Sequence, residues 1–292
     1  MKRSIQQSFT TTATTVSIIL SIILLLPLVT FAQLPRERAV IDEQIDNIFW
    51  ASKNVGISTV RNPSAKNLNT TVLHTFGLVR GGVDRFFGMD DGANTRIGIE
   101  YGITDSWSVA AGRMTFNNVV DLSSKINLFR QTRSEGMPVD IAVKLATGIN
   151  TTSGTGLRFS ERSSYLTSIM IARKFGAFSA QLTPMLAHFG HVQEGIQEQL
   201  VGLGILANYE LNDRFALSAE YLPVLGDRNP GTEDAIAFSL NINTGGHIFQ
   251  IFLASSQWHN EQFIMANNHD KFMDGDFRFG FNIHRVFGLS RN

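Results

Sequence analysis

The residues of this chain with the most chemical potential are charged side chains that recur within otherwise apolar segments. Arg96 and Glu100 alternate with Ile97 and Ile99. Charges at equivalent alternate positions recur along the chain, and the candidate set is Arg96, Glu100, Lys144, Glu210, Glu220, Arg278 and His284. Such charges tune selectivity in an open polar pore, or they pair with each other in a filled interior. The sequence alone favours neither arrangement.

A second cluster is acidic. Asp84, Asp90, Asp91 and Asn94 lie within a short stretch. Carboxylate and amide oxygens are the ligands that Ca²⁺ prefers, but this spacing does not match a Ca²⁺-binding helix–loop–helix. A solvated acidic loop is therefore the favoured interpretation, with calcium as the weaker alternative.

No segment carries the signature of an active site. His259, His269 and Asp270 share one connecting segment, and imidazoles beside a carboxylate can bind a transition metal. Scattered loop histidines are the simpler interpretation. No serine stands in a nucleophile-elbow motif, and the glycines of 202–204 do not begin a βαβ unit. We therefore predict no enzyme and no cofactor.

The elements that must position these side chains are β-strands. Val201, Leu203 and Ile205 alternate with Gly202 and Gly204, the period of two that strands require. One face is apolar, and the other holds Gly, Ser, Asn and charged residues, which suits the crowded lumen of a small barrel. The pattern predicts about twelve strands: 68–80, 94–103, 107–116, 119–130, 138–149, 165–174, 178–188, 200–211, 215–222, 235–243, 247–255 and 276–287.

The connections between these strands alternate between long and short, except around 117–118 and 131–137. Transmembrane barrels sort their connections in this way because short turns lie at the periplasmic side and longer loops at the outer side. We therefore predict an all-β fold: one closed antiparallel transmembrane β-barrel with both termini in the periplasm. Aromatic rings that flank the short turns, such as Tyr209 and Phe215, fit the girdle at a membrane boundary.

The N-terminal part divides into two segments. Residues 1–32 have the pattern of a cleavable signal peptide: Lys2 and Arg3, an apolar stretch over 16–29, and small residues before the predicted cleavage site. The apolar stretch is too short for a membrane span of ~20 residues. Residues 33–67 have helix-like apolar spacing over 36–50, and we expect a periplasmic segment that is helical or partly tucked into the barrel, which itself comprises 68–292.

Composition narrows the class of protein further. The 292 residues include 25 basic and 25 acidic side chains, so there is no basic excess of the kind that nucleic acid requires. The chain has no cysteine and therefore forms no disulfide. A soluble periplasmic β-sandwich is the main structural rival to the barrel.

Three segments resemble a known family. These are His74–Gly77, Asp84–Asp90 and Arg96–Asp105, the last reading RIGIEYGITD. They are similar to the DUF5777 family of predicted outer-membrane β-barrel proteins of Bacteroidota. The resemblance implies the barrel architecture and a location in the outer membrane, and it implies no reaction.

The expected function follows from the expected location. We expect a passive small-solute channel or porin-like protein in contact with outer-membrane lipid. The aromatic-rich strand at 276–287 is of the type that barrel-assembly machinery recognises. The alternative is a structural barrel that anchors a periplasmic protein through residues 33–67.

Overall fold

The computed structural model describes residues 43–133 and 136–289, so the signal peptide predicted at 1–32 lies outside the described residues. The described part of the chain contains thirteen strands: β1 (Asn67–Leu78), β2 (Asn94–Thr104), β3 (Trp107–Met114), β4 (Val119–Phe129), β5 (Asp140–Asn150), β6 (Ser163–Phe175), β7 (Phe178–Phe189), β8 (Gln199–Glu210), β9 (Phe215–Leu222), β10 (Val224–Leu225), β11 (Ala235–Asn243), β12 (His247–Ala254) and β13 (Arg278–Gly288). The predicted strands agree with these bounds to within two residues at nearly every end.

Twelve of the strands close into a barrel. Each pairs antiparallel with its neighbours, β1 pairs with β13, and β8 pairs with β9. Because the ladder closes on itself, none of these twelve strands is left as an open sheet edge. β10 is a two-residue addition that pairs with β8 through Val224 and Gly202. The predicted fold of a closed twelve-stranded antiparallel barrel is confirmed.

The outer face of the barrel is apolar and uncovered. Ile99, Leu217 and Ile251 are each about half exposed, and they point away from the lumen. The predicted outward residues Val201 and Leu203 have no second sheet against them in the described part of the chain, where a single sheet forms. No described helix is long and apolar enough to cross a lipid bilayer.

The connections sort to the two ends of the barrel, here called the short-turn end and the long-loop end. The long-loop end has one tight connection, at 115–118, because Asn117 and Asn118 both adopt positive φ (52° and 45°) and make a tight hairpin turn. The short-turn end has one longer connection, at 130–139. The backbone of this connection is hydrogen-bonded to the segment that precedes β1, since the carbonyl of Gln131 accepts from the amide of Ile45 at 2.8 Å.

Two segments fill the lumen. Residues 43–66, here called the plug, enter from the short-turn end and bury Ile57 and Val60 among the strands. The plug contains no helix, so of the two arrangements expected for 33–67 its described part is tucked into the barrel. Residues 255–270, here called the insert, fold inward from the long-loop end. The insert carries helix α1 (Glu261–Asn267), whose residues Glu261 to Ala266 are buried. Short 3₁₀ turns occur at Val79–Gly81 and Phe272–Asp274. The segment Val83–Asp91 contains 3₁₀ turns interrupted by non-helical backbone at Arg85 to Gly88, and Phe116–Asn118 is the tight turn described above.

An arginine on the outer face tests which side of the wall meets hydrocarbon. We expect Ile99→Arg, near the middle of β2, to lower the free energy of unfolding by about 2–4 kcal/mol, and Ile103→Arg near the short-turn end by about 0–1 kcal/mol. Denaturant titration in phospholipid vesicles measures both values. Equal losses at the two positions would contradict a membrane around the barrel.

Candidate functional site

The wall of the lumen contains buried ion pairs. Arg96 on β2 donates to Asp121 on β4 through two hydrogen bonds, of 2.8 and 2.6 Å, and both side chains are nearly buried. The guanidinium passes over Gly112 on the intervening strand, where any Cβ would collide with it. Glycine at this inward position therefore makes room for the ion pair.

A second wall pair holds the plug as well. Lys125 lies 3.5 Å from Glu100, and its ammonium also donates to the carbonyl oxygens of Thr59 and Arg61 on the plug. Glu100 in turn accepts from Ser108 at 2.8 Å. An inward lysine thus supplies donors to plug carbonyls that have no strand partner.

Glu220 supplies the corresponding acceptors. Its carboxylate accepts hydrogen bonds from three consecutive plug amides, those of Val55, Gly56 and Ile57, at 2.9, 2.8 and 3.3 Å. Gln181 acts in both directions, because it accepts from the amide of Val60 at 3.0 Å and donates to the carbonyl of Ser58 at 2.8 Å. Wall side chains therefore take the place of a strand ladder for the plug backbone.

The insert is held by side chains of the long-loop end. Asn94 donates to the carbonyl of Gln257 at 2.9 Å, and its own carbonyl lies 3.0 Å from Nε2 of His259. Burial lowers the pKa of His259 to about 3, so its ring is neutral and Nε2 carries the donated proton. Asn229 donates to the carbonyl of Ala266 at the other end of the insert, at 3.0 Å.

The plug and the insert meet at Glu261. Its carboxylate lies 3.1 Å from the ammonium of Lys144 on the wall and 3.5 Å from that of Lys53 on the plug, and it accepts from the amide of Ser58 at 2.9 Å. Burial alone would raise the pKa of Glu261, but the two lysines hold it well below its usual range. Burial lowers the pKa of Lys53 to about 8. One carboxylate therefore connects all three parts of the lumen.

The remaining predicted lumen charges also have partners. Glu210 lies 2.7 Å from Lys174 near the short-turn end, and Arg278 lies 2.6 Å from Asp270 of the insert. His284 is buried, with Nε2 at 3.3 Å from Gln250. All seven predicted residues thus lie on the inner side of the wall, and the structure spreads them along the lumen instead of gathering them at one point.

The acidic loop does not assemble a metal site. Among residues 43–133 and 136–289, no three His, Asp or Glu side chains come close enough together to hold an ion. Asp91 instead pairs with Arg85 at 2.9 Å. Phe86 and Phe87 of the same loop are exposed and adopt positive φ.

Several lumen residues were absent from the predicted set. Asp121 and Lys125 share the inward parity of β4, so the alternation of that strand contained the signal. Lys53 and Glu261 lie in segments without strand periodicity, and no local pattern marks them. Their role depends on where the two segments meet, which is a tertiary property.

Among the described residues, the filled lumen leaves several cavities, of which three have many polar residues in their linings. The central one measures about 70 Å³ and is bordered by Lys53, Arg96 and Glu261. Two larger ones, of about 360 and 310 Å³, lie between the plug and the wall toward the short-turn end, on either side of Arg61. The smallest of these three cavities thus lies where the two inserted segments touch.

Residues 49–287 match the family model described as a membrane bound beta barrel domain, DUF5777. The chain belongs to this family. The match includes most of the plug, the insert and all thirteen strands, so the chain is a membrane-bound β-barrel. No curated protein has significant sequence similarity to it.

Solved structures that align with this chain are outer-membrane proteins of different kinds. A NanC porin aligns with a TM-score of 0.50 at 10% identity, over 76% of this chain and 100% of that one. An outer membrane channel from Pseudomonas putida F1 aligns with a TM-score of 0.44 at 12% identity, over 77% and 96%. Outer membrane phospholipase A from Escherichia coli aligns with a TM-score of 0.42 at 10% identity, over 77% and 91%. At these identities the likeness concerns the fold alone.

Removing the carboxylate of Glu261 tests its connecting role. We expect Glu261→Gln to lower the free energy of unfolding by about 3–5 kcal/mol, because two buried ammonium groups lose their counter-charge. Glu233→Gln, which breaks an exposed pair with Lys271, is the control, with an expected loss of about 0–1 kcal/mol. Denaturant titration measures both free energies of unfolding. Similar losses for the two variants would contradict the role of Glu261 as the residue that connects the plug, the insert and the wall.

The depressed pKa of Glu261 also predicts a pH dependence. A carboxylate with a lowered folded-state pKa stabilises the fold above its ordinary value of about 4.3, and this contribution is lost as the pH falls toward the folded-state value. We therefore expect the stability difference between the wild type and Glu261→Gln to be full at pH 7 and to shrink below about pH 4. A difference that stays constant from pH 7 to pH 3 would contradict the ion pairing.

Proposed function

We propose that this protein is an outer-membrane channel for small polar solutes, and that the structure is its closed form. The short-turn end faces the periplasm, so both termini are periplasmic. One observation carries the proposal: the lumen is filled by two segments that take no part in the strand ladder of the barrel. A barrel that only needed a solid core would be filled by its own strand side chains.

The attachment of the plug favours reversible opening. The plug is held by side-chain hydrogen bonds to Glu220, Gln181 and Lys125, by an isolated bridge between Gln44 and Thr132, and by the burial of apolar side chains such as Ile57 against the wall. Hydrogen bonds to charged groups contribute about 1.5–3 kcal/mol each, because water replaces them when they break. The twelve-stranded ladder remains intact when the plug leaves, so opening needs no unfolding of the wall.

The wall is suited to a water-filled lumen once the plug has left. Its inward ionisable groups along the strands are balanced in sign: Arg96, Lys125, Lys144, Lys174 and Arg278 against Glu100, Asp121, Asp140, Glu210 and Glu220. Charges that face water in a lumen determine ion preference. A balanced set gives weak selectivity between anions and cations, which supports passage of small polar solutes generally.

We also propose that no chemical step takes place. Among the described residues, the one contact between an imidazole and a hydroxyl is His74 with Thr95, at 2.8 Å on the outer face. No described carboxylate pairs with His74, so the third group that orients a catalytic base is missing there. The competing role is an anchor for a periplasmic protein through 33–67, and the described part of that segment lies inside the lumen.

Deleting the plug tests the proposal. In planar bilayers we expect the wild type to conduct in brief, infrequent openings, and the variant that lacks residues 43–66 to conduct for much longer periods, since only the insert then remains in the lumen. Single-channel recording measures open probability in both. A folded plug-deleted barrel without conductance would remove the channel.

A point variant supports the same test without a deletion. Glu220→Ala removes the acceptor of three plug amides, and we expect a severalfold increase in open probability. Asp213→Ala, in the exposed turn between β8 and β9, is the control and should behave as the wild type. Unchanged gating in Glu220→Ala would show that the plug is not what closes the lumen.

A further inference from the structure

We propose that the 310 Å³ cavity at the short-turn end, here called the vestibule, binds a small hydroxylated carboxylate such as a sugar acid. This inference deepens the proposed channel function by naming a solute class. The vestibule lies between the plug, which contributes Trp50 and Arg61, and the wall, which contributes Asn69, His247 and His284. Its volume is within the ~300–1,000 Å³ of ligand pockets.

The charge of the vestibule selects for an anion. Arg61 lines it, and no Asp or Glu of the described part of the chain does. The guanidinium donates to the side-chain oxygen of Asn47 and to the carbonyl of Phe49 at 3.1 Å, which are both neutral acceptors. No carboxylate within the described residues lies within 4 Å of it, although nearly every other lumen cation has such a partner. An arginine with neutral partners retains donors in the planar geometry that a carboxylate accepts.

Two buried wall groups select for hydroxyls. His284 is 2% exposed and Asn69 is 3% exposed. Nε2 of His284 lies 3.3 Å from the side-chain oxygen of Gln250, which requires a donor, so Nδ1 is left as an acceptor without a partner. Asn69 donates to Ser52 at 3.1 Å, and its oxygen likewise accepts from no group within residues 43–133 and 136–289. Both acceptor atoms are closed to solvent, so a ligand hydroxyl group reaches them only when the imidazole or the amide turns toward the vestibule. Buried acceptors without donors are unfavourable, which favours such a turn once a ligand supplies the donors.

The aromatic ring and the neighbouring cavity narrow the class further. Trp50 is half-buried and presents an apolar surface that suits the C–H face of a sugar ring. The 360 Å³ cavity on the other side of Arg61 is lined by Asp46, Asp105 and Asp140, whose charges oppose an anion. The vestibule is therefore the cavity of the two that fits a carboxylate.

Calorimetry on the full mature chain in detergent tests the site with three probes. D-glucuronate carries both the carboxylate and the hydroxyls, D-glucose lacks the carboxylate, and acetate lacks the hydroxyls. We expect saturable binding of glucuronate and at least tenfold weaker binding of the other two. Glucose or acetate binding as tightly as glucuronate would overturn the solute class.

Two variants locate the binding. Arg61→Gln removes the charge, and Gly246→Phe places a ring at the mouth of the vestibule, where an added Cβ meets no atom within 4 Å. We expect each to weaken glucuronate binding at least tenfold. Arg113→Gln at the long-loop end and Ala177→Phe in another short turn are the matched controls and should bind as the wild type does.

Gly246→Phe touches no plug hydrogen bond, so it tests the site even where Arg61→Gln loosens the plug. Undiminished binding in a folded Gly246→Phe barrel, or no saturable binding by the wild type, would overturn the vestibule as the site. Neither measurement involves conductance. A folded plug-deleted barrel that does not conduct would contradict the channel proposal and would leave the binding result unaffected.

Discussion

The constraint on which this structure depends is that hydrocarbon offers no hydrogen bonds, so every strand amide and carbonyl in a membrane needs a partner in the protein. Pairing of β1 with β13 and of β8 with β9 meets this requirement around the whole circumference. The apolar outer face then follows, because the same alternation that exposes Ile99 to lipid turns its neighbour Glu100 inward. Because the strand backbones are fully paired with one another, the segments that fill the lumen are the plug and the insert.

Inside the barrel the same requirement is met by different means. The plug backbone has no ladder, and Glu220, Gln181 and Lys125 reach it with side chains. Buried charges are unfavourable unless they are paired and hydrogen-bonded, so each inward charge that holds the plug is balanced by another group. The insert adds Glu261 at the meeting point. The lumen is thereby closed by polar contacts together with apolar clusters, in which Ile57 of the plug and Met265 of the insert pack against the wall.

The strands were predictable because the alternation of apolar and polar residues is a local property of the sequence. The hydrocarbon requires apolar residues on the outer face, and the lumen accepts polar ones on the inner face. The inward positions of Arg96 and Glu100 followed from the same alternation. The exception in loop length at 117–118 has a local cause, the tight turn at Asn117 and Asn118, whereas the one at 131–137 depends on contacts with the plug that the sequence did not reveal. Lys53 and Glu261 were not predictable for the same reason. Helix-like apolar spacing over 36–50 was misleading in its described part, since Ile48 and Phe49 pack against the strands without forming a helix.

The central claim is that the plug occupies the lumen and leaves it only transiently. The chain has no cysteine, so single introduced thiols report directly on accessibility. Ile57 is 1% exposed within the lumen, and Ser64 is exposed near the short-turn end. The account predicts that Ile57→Cys in the folded barrel reacts with a small water-soluble thiol reagent at least a hundredfold more slowly than Ser64→Cys. Equal rates at the two positions would contradict it.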